Sequence, residues 1–146
     1  MVKALNRIVI ETVTSKHGVP IVLPSRGEIE GNVAELRNVE GGENAAELWL
    51  QKVEERRAKV AHLIIRTEYS YREITERDRV NAREKATVMT PCGPKIHMEK
   101  MQGLLAAKAI GMTYEEFGAL SPSVAKAIML EVALRIRDEQ NQYRSN

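Results

Sequence analysis

The first forty residues carry a different hydrophobic rhythm from the rest of the chain. Arg7, Ile8, Val9, Ile10, Glu11, Thr12, Val13 and Thr14 form a β-branched, partly alternating run, which predicts a strand over 7–14. Ser15, Lys16, His17 and Gly18 supply turn chemistry, and 19–24 predicts a second short strand. Pro20 and Pro24 lack an N–H, so that strand is expected at a sheet edge. The stretch 25–38 holds Gly27 and Gly31 with weak alternation through Ile29, Val33 and Leu36; it is expected to be irregular, with a third strand over 31–39. A lone hairpin is marginal in water, so these strands must pack on helices or pair with another chain.

Beyond Gly41 and Gly42 the period becomes helical. Asn44 with Glu47 reads as an N-cap and its reciprocal partner, and Ala46, Leu50, Val53, Val60 and Ile64 mark one apolar face. A helix is expected to about Glu68, in competition with a strand over 65–71 where Ile65, Thr67, Tyr69 and Tyr71 alternate with polar residues. Ser70 and Glu73 form a second capping box, expected to open a highly charged helix to about Thr87 with only Ile74, Val80 and a few alanines on its apolar side. Two prolines around a glycine in Thr90, Pro91, Cys92, Gly93 and Pro94 predict a rigid turn or hinge.

Local rules agree best in the last third. A helix over 96–110 stops at Gly111; Thr113 and Glu116 make a capping box, with Met112 and Phe117 at the positions of a hydrophobic staple. Ser121 and Pro122 then start a final helix expected to about Gln140, before a polar tail, 138–146, that frays. That helix is apolar around much of its circumference, so it is central to the core or covered by another subunit. The expected architecture is α+β and mostly helical: an N-terminal β-hairpin and irregular region (1–42), two middle helices (43–89) and a C-terminal three-helix array (95–146), forming either one compact unit or two subdomains joined at 90–94.

Composition narrows the classes. The 146 residues are 43% hydrophobic, enough for a core, but only 4% aromatic, so that core is aliphatic. Charge nearly balances, with 22 basic and 20 acidic residues, which gives no whole-chain footprint for nucleic acid or membrane. One cysteine excludes an intramolecular disulfide framework, and no apolar run nears the roughly 18 residues of a membrane span. A cytoplasmic protein with no membrane partner is expected.

Candidate chemistry is sparse. Cys92 and His97 are of types that could form a nucleophile pair, yet they read more simply as a loop thiol and a polar residue near a helix start. No ligand cluster suggests a metal, no phosphate-binding glycine pattern occurs, and no cofactor or enzyme is implied. The adjacent pairs Glu54/Glu55, Glu115/Glu116 and Asp138/Glu139 diverge by about 100° on a helix and are expected to be solvated. Residues 51–85 hold ten Lys and Arg against seven Asp and Glu, whereas the first fifty hold five against seven. In that basic stretch, 69–76 resembles the opening helix of helix-turn-helix domains, although Asp78 and Arg79 stand where an apolar position and a glycine turn would fall. A nucleic-acid-binding regulator using Arg72, Arg77, Arg79 and Arg83 is therefore the alternative reading.

The string from Gly111 to Pro122, with Thr113, Glu115, Glu116, Phe117, Leu120 and Ser121, followed by a helix ending in Arg135, Arg137, Asp138 and Glu139, is similar to helical endings of small morphogenesis proteins of tailed bacteriophages, tail assembly chaperones among them. The resemblance implies a non-catalytic structural or assembly protein, in the host cytoplasm or the virion, working by self-association and protein–protein contacts. Homo-oligomers or other assembly proteins are the expected partners. Phe117, Leu120, Ile128, Leu130 and Leu134 are the candidate partner-binding residues, and a methionine-lined groove between the last three helices would suit a helical partner.

Overall fold

The computed structural model describes residues 7–145. The fold is α+β and mostly helical, 60% helix against 19% strand. It divides into two compact units: 68–146 with 1–9, and 10–67. Strand β1 (Arg7–Thr14) occupies the predicted residues, and β2 (Pro20–Val22) pairs antiparallel with it, Val13 opposite Ile21. The sheet order is β2-β1-β3, so the proline-bearing strand does lie at an edge.

In the 10–67 unit, the segment expected to be irregular is helix α1 (Arg26–Arg37). Ser25 caps it by accepting from the Glu28 N–H, and Ile29, Val33 and Leu36 are spaced as one helical face rather than as an alternating strand. Helix α2 (Gly42–Val60) follows a tight reversal and packs against α1. It starts at Gly41 and Gly42, not at Asn44: Gly41 is the N-cap, at φ +74. Gly42 is buried, and a Cβ there would lie 1.8 Å from the Leu36 carbonyl oxygen. With Ala46, fully buried one turn on, it lets the two backbones approach closely.

Helix α2 ends at Val60 and a 3₁₀ turn (Ala61–Leu63) leads into β3 (Ile65–Ser70), so the helix expected to Glu68 gives way to the competing strand. Alternating β-branched and aromatic residues outweigh the helical period there. Glu11 of β1 accepts two hydrogen bonds from Arg57 of α2, at 2.9 and 2.7 Å. This pair holds the Glu11 carboxyl below its ordinary value of 4.5 against the opposing effect of partial burial, and Arg66 adds to the lowering.

In the other unit, residues 71–75 have no regular secondary structure and α3 (Glu76–Ala86) opens five residues later than expected. Its capping box is Thr75 with Asp78, in place of Ser70 with Glu73. The prolines after Thr90 do not form a hinge between helices. They sit at the end of a β-hairpin, β4 (Thr87–Thr90) with β5 (Gly93–Ile96), in the register Thr87–Ile96, Val88–Lys95, Met89–Pro94 and Thr90–Gly93. Helices α4 (Met98–Ala109), α5 (Tyr114–Gly118) and α6 (Pro122–Ser145) then follow the predicted order. The polar stretch from Asp138 continues α6 to Ser145; residue 146 lies outside the described residues.

Helix α4 is the centre of this unit. Gly103, Leu105, Ala106, Ala107 and Ala109 are buried in it, and α3, α5 and α6 each pack against it. Ile8, Ile74, Ala86, Phe117, Ile128 and Val132 are also buried in this unit.

Gly42→Ala is expected to destabilise the 10–67 unit by about 1–3 kcal/mol, because backbone has to move to admit the methyl group. Gly31→Ala, in open space within α1, is expected to stabilise by about 0.5–1 kcal/mol. Urea titrations followed by the fluorescence of Trp49, which lies in that unit, separate the two. The Glu11–Arg57 pair gives a pH dependence of definite sign. A carboxyl with a lowered folded value contributes stability above its unfolded value of 4.5, and the contribution vanishes as pH falls through the folded value. Wild type should lose more stability than Glu11→Gln between pH 6 and 3, by less than about 1 kcal/mol because Arg57 is half exposed.

Candidate functional site

Three helices of the 68–146 unit enclose a groove of about 640 Å³. Its shape begins with local chemistry. Gly111 ends α4 in the left-handed conformation. The Thr113 hydroxyl accepts from the Glu116 N–H at 3.0 Å while the Glu116 carboxylate accepts from the Thr113 N–H at 3.1 Å. This box fixes the direction in which α5 leaves the turn, and Phe117 is buried beneath it. On α4, Gly103 presents bare backbone: a Cβ there would lie 3.2 Å from the Tyr114 ring. The groove floor is therefore Gly103 with Tyr114 and Phe117, and its walls include Leu120, Met129 and Leu130. Glu99 and Lys126 are the charged residues among its lining. Tyr114 also lines a second cavity of about 390 Å³, reached from α3, with Asp78, Asn81, Lys85, Lys108 and Met112.

The five sequence candidates divide by depth. Leu130 is 46% exposed at the groove and Leu120 is half-buried there. Phe117 lines the groove from a buried position at its base. Ile128 is fully buried and Leu134 half-buried, and neither lines the groove. Ile128 is consequently a core residue of α6, because α6 turns its Ile128–Val132 row inward and its Met129–Ala133 row to the groove. Of the methionines, Met129 lines the groove, Met112 the second cavity, and Met98 is exposed.

The four arginines do not form one surface. Arg72 pairs with Asp78 at 3.4 Å, and Arg79 faces Gln140, whose amide oxygen, turned toward it, accepts at 2.8 Å. Arg77 and Arg83 are exposed on α3, where about 100° per residue sets them some 120° apart around the axis, with Glu76 and Glu84 interspersed. The Asp78 carboxyl is lowered, first by the hydrogen bond from the Thr75 N–H, with the Thr75 hydroxyl and Arg72 assisting against burial. Cys92 is exposed at the tip of the β4–β5 hairpin. His97 is the N-cap of α4, its Nδ1 accepting from the Lys100 N–H at 3.1 Å.

One cluster has no precursor in the sequence reading. The Tyr71 hydroxyl donates to Glu139 at 3.0 Å, and the Arg135 guanidinium lies 4.8 Å over the Tyr71 ring. Arg135 also donates to the Arg7 carbonyl and pairs with Glu131. Burial and the adjoining Glu139 push the Tyr71 hydroxyl well above its ordinary range. The cluster ties the distal half of α6 to the start of β1 and to the segment after β3. Glu139, expected to be solvated beside Asp138, is a structural acceptor; only Asp138 is exposed. The i, i+4 spacing of Arg135 and Glu139 was the available signal, but Tyr71 lies 68 residues from Glu139.

Comparison with family models, with curated proteins and with solved structures gives no match. No described helix is long and apolar enough to cross a membrane.

Tyr71→Phe is expected to lower stability by about 0.5–1.5 kcal/mol through loss of the bond to Glu139. Arg135→Ala should cost more, since the ring contact, the Arg7 carbonyl and Glu131 all lose a partner. Thermal unfolding followed by circular dichroism checks the order of the two variants.

Proposed function

We propose that the protein is a non-catalytic assembly component that works by self-association and protein–protein contact. Its proposed setting is the morphogenesis of a tailed bacteriophage, in the host cytoplasm or the virion. The carrying observation is the groove between α4, α5 and α6: a wide, apolar cleft with Leu130 exposed at its wall and a single acid and a single base among its lining residues. Catalysis would call for polar groups converging in such a cleft, whereas an apolar, weakly charged groove suits a hydrophobic segment of a partner. Exposed Val88, Met89, Ile96 and Met98 in the same unit add surface that association would bury. The bacteriophage setting rests on the similarity of the 111–139 stretch to morphogenesis proteins.

Leu130→Asp tests this reading. The side chain is on the surface, so the fold should survive, and the apparent dissociation constant for self-association should rise at least tenfold by light scattering after size exclusion. Ile128→Asp, at a fully buried site, should instead unfold the unit. A wild-type protein that stays monomeric to high concentration, or a Leu130→Asp protein that assembles like wild type, would remove the groove from the function. Co-elution with nucleic acid that is lost as salt rises would bring forward the arginines of α3.

A further inference from the structure

The two edges of the three-stranded sheet are built differently. At one, β2 is three residues long and carries Pro20, with Pro24 just beyond it. A short strand with prolines has little to offer an incoming strand, and sheet edges are commonly protected in this way. At the other edge, β3 runs for six residues, from Ile65 to Ser70, with no proline, glycine or lysine. Five of the six are exposed, Ile65 at 54%. Among the described residues no strand pairs with its outer side. Alternate residues of an edge strand turn their N–H and C=O groups away from the sheet, so β3 offers a row of backbone donors and acceptors.

The charges on β3 decide what pairs there. Arg66 and Glu68 share one face of the strand, and Ile65, Thr67 and Tyr69 the other. Two copies of one strand that pair antiparallel about a two-fold axis place one residue opposite itself. With Thr67 at that centre, Arg66 opposes Glu68 of the second copy and Glu68 opposes its Arg66, while Ile65 and Tyr69 oppose each other on the other face. Opposite-charge pairs and aromatic–β-branched pairs both stabilise antiparallel strands. Moving the centre one residue either way sets Arg66 against Arg66 or Glu68 against Glu68, and like charges directly opposed are destabilising. Glu68 already accepts from Arg7 at 2.8 Å, and Arg66 also interacts within its own chain. A carboxylate and a guanidinium each have lone pairs or donors for more than one partner, so these contacts are compatible with a second chain.

We propose that β3 pairs antiparallel with β3 of a second copy of this chain, centred on Thr67, and joins the two sheets into one. The contact is isologous, so it closes at two copies. Main-chain hydrogen bonds along the edge supply the affinity, and the crossed Arg66–Glu68 pairs set the register and the choice of partner. No β3 residue lines the groove of α4, α5 and α6. The proposal therefore goes beyond the groove reading and does not depend on it: the strand makes a dimer, and the groove carries assembly further. A six-residue edge falls at the small end of interface sizes, so the dimer forms as concentration rises.

The test uses the full chain carrying Leu130→Asp, which blocks the groove so that the two surfaces are read separately. By sedimentation velocity this protein should be a dimer at high concentration. Adding either Glu68→Arg or Arg66→Glu sets like charges against each other across the axis, and each should raise the dimer dissociation constant about tenfold or more. The two variants mixed in equal amounts should pair with each other about as tightly as the parent, because each supplies the charge the other lacks. The double variant Arg66→Glu/Glu68→Arg should again dimerise by itself, which separates loss of pairing from loss of folding. Leu130→Asp protein with native β3 that stays monomeric would overturn the proposal and leave the groove reading standing. So would charge variants that dimerise like their parent, or variants that lose the dimer and are restored neither by mixing nor by the double exchange.

Discussion

The 68–146 unit depends on the absence of bulk along α4. Gly103, Ala106, Ala107 and Ala109 are all buried, which allows α3, α5 and α6 to approach one helix from different sides. Larger side chains at these positions would force the neighbours outward, at a typical cost of about 1–3 kcal/mol per overpacked site. Close approach brings Tyr114 onto bare backbone at Gly103 and leaves the space between α5 and α6 as a groove instead of filled core. A chain with one phenylalanine has little volume with which to fill that space. The groove is thus a consequence of composition as much as of topology.

The second constraint is long-range and polar. Arg135 and Glu139, one turn apart on α6, converge on Tyr71. Partial burial makes this cluster more effective than a surface pair of the same composition, because water competes less for each group. It fixes the distal part of α6, while the proximal part is left to shape the groove. The 10–67 unit is held differently. Its buried apolar residues are few, Ile10, Val33 and Ala46 among them, and the backbone contact at Gly42 and the bidentate Glu11–Arg57 pair do much of the positioning.

Legibility in the sequence follows the range of the interactions. The capping box at Thr113, the stop at Gly111 and the start at Pro122 are rules of four or five residues, and α4, α5 and α6 were readable from them. Strand β1 was readable because its β-branched run has no helical competitor. Helix α1 was obscured by Gly27 and Gly31, whose low helix propensity is overridden by the Ser25 cap and the packing of α1 against α2. For β3, two periods competed within the same residues, and tertiary pairing decided between them. The β4–β5 hairpin was hidden because Pro91, Gly93 and Pro94 look like a break; the Thr87–Ile96 ladder that makes them a turn is not visible locally. Leu130 lies at the groove on a final helix whose apolar residues run round much of its circumference and so must face something on each side; Phe117 and Leu120 line it from α5 and the turn after it. The orientation that buries Ile128 and exposes Leu130 required the neighbouring helices.

The central claim, that self-association runs through the apolar groove of α4, α5 and α6, is tested most directly by hydroxyl-radical footprinting across a concentration series, with methionine and tyrosine side chains as reporters. The account predicts that Met129 and Tyr114, at the groove, become protected as concentration rises, while Leu48 and Trp49 of the other unit do not change. Met129 and Tyr114 remaining equally reactive while Leu48 and Trp49 become protected would place self-association on α2 and contradict it.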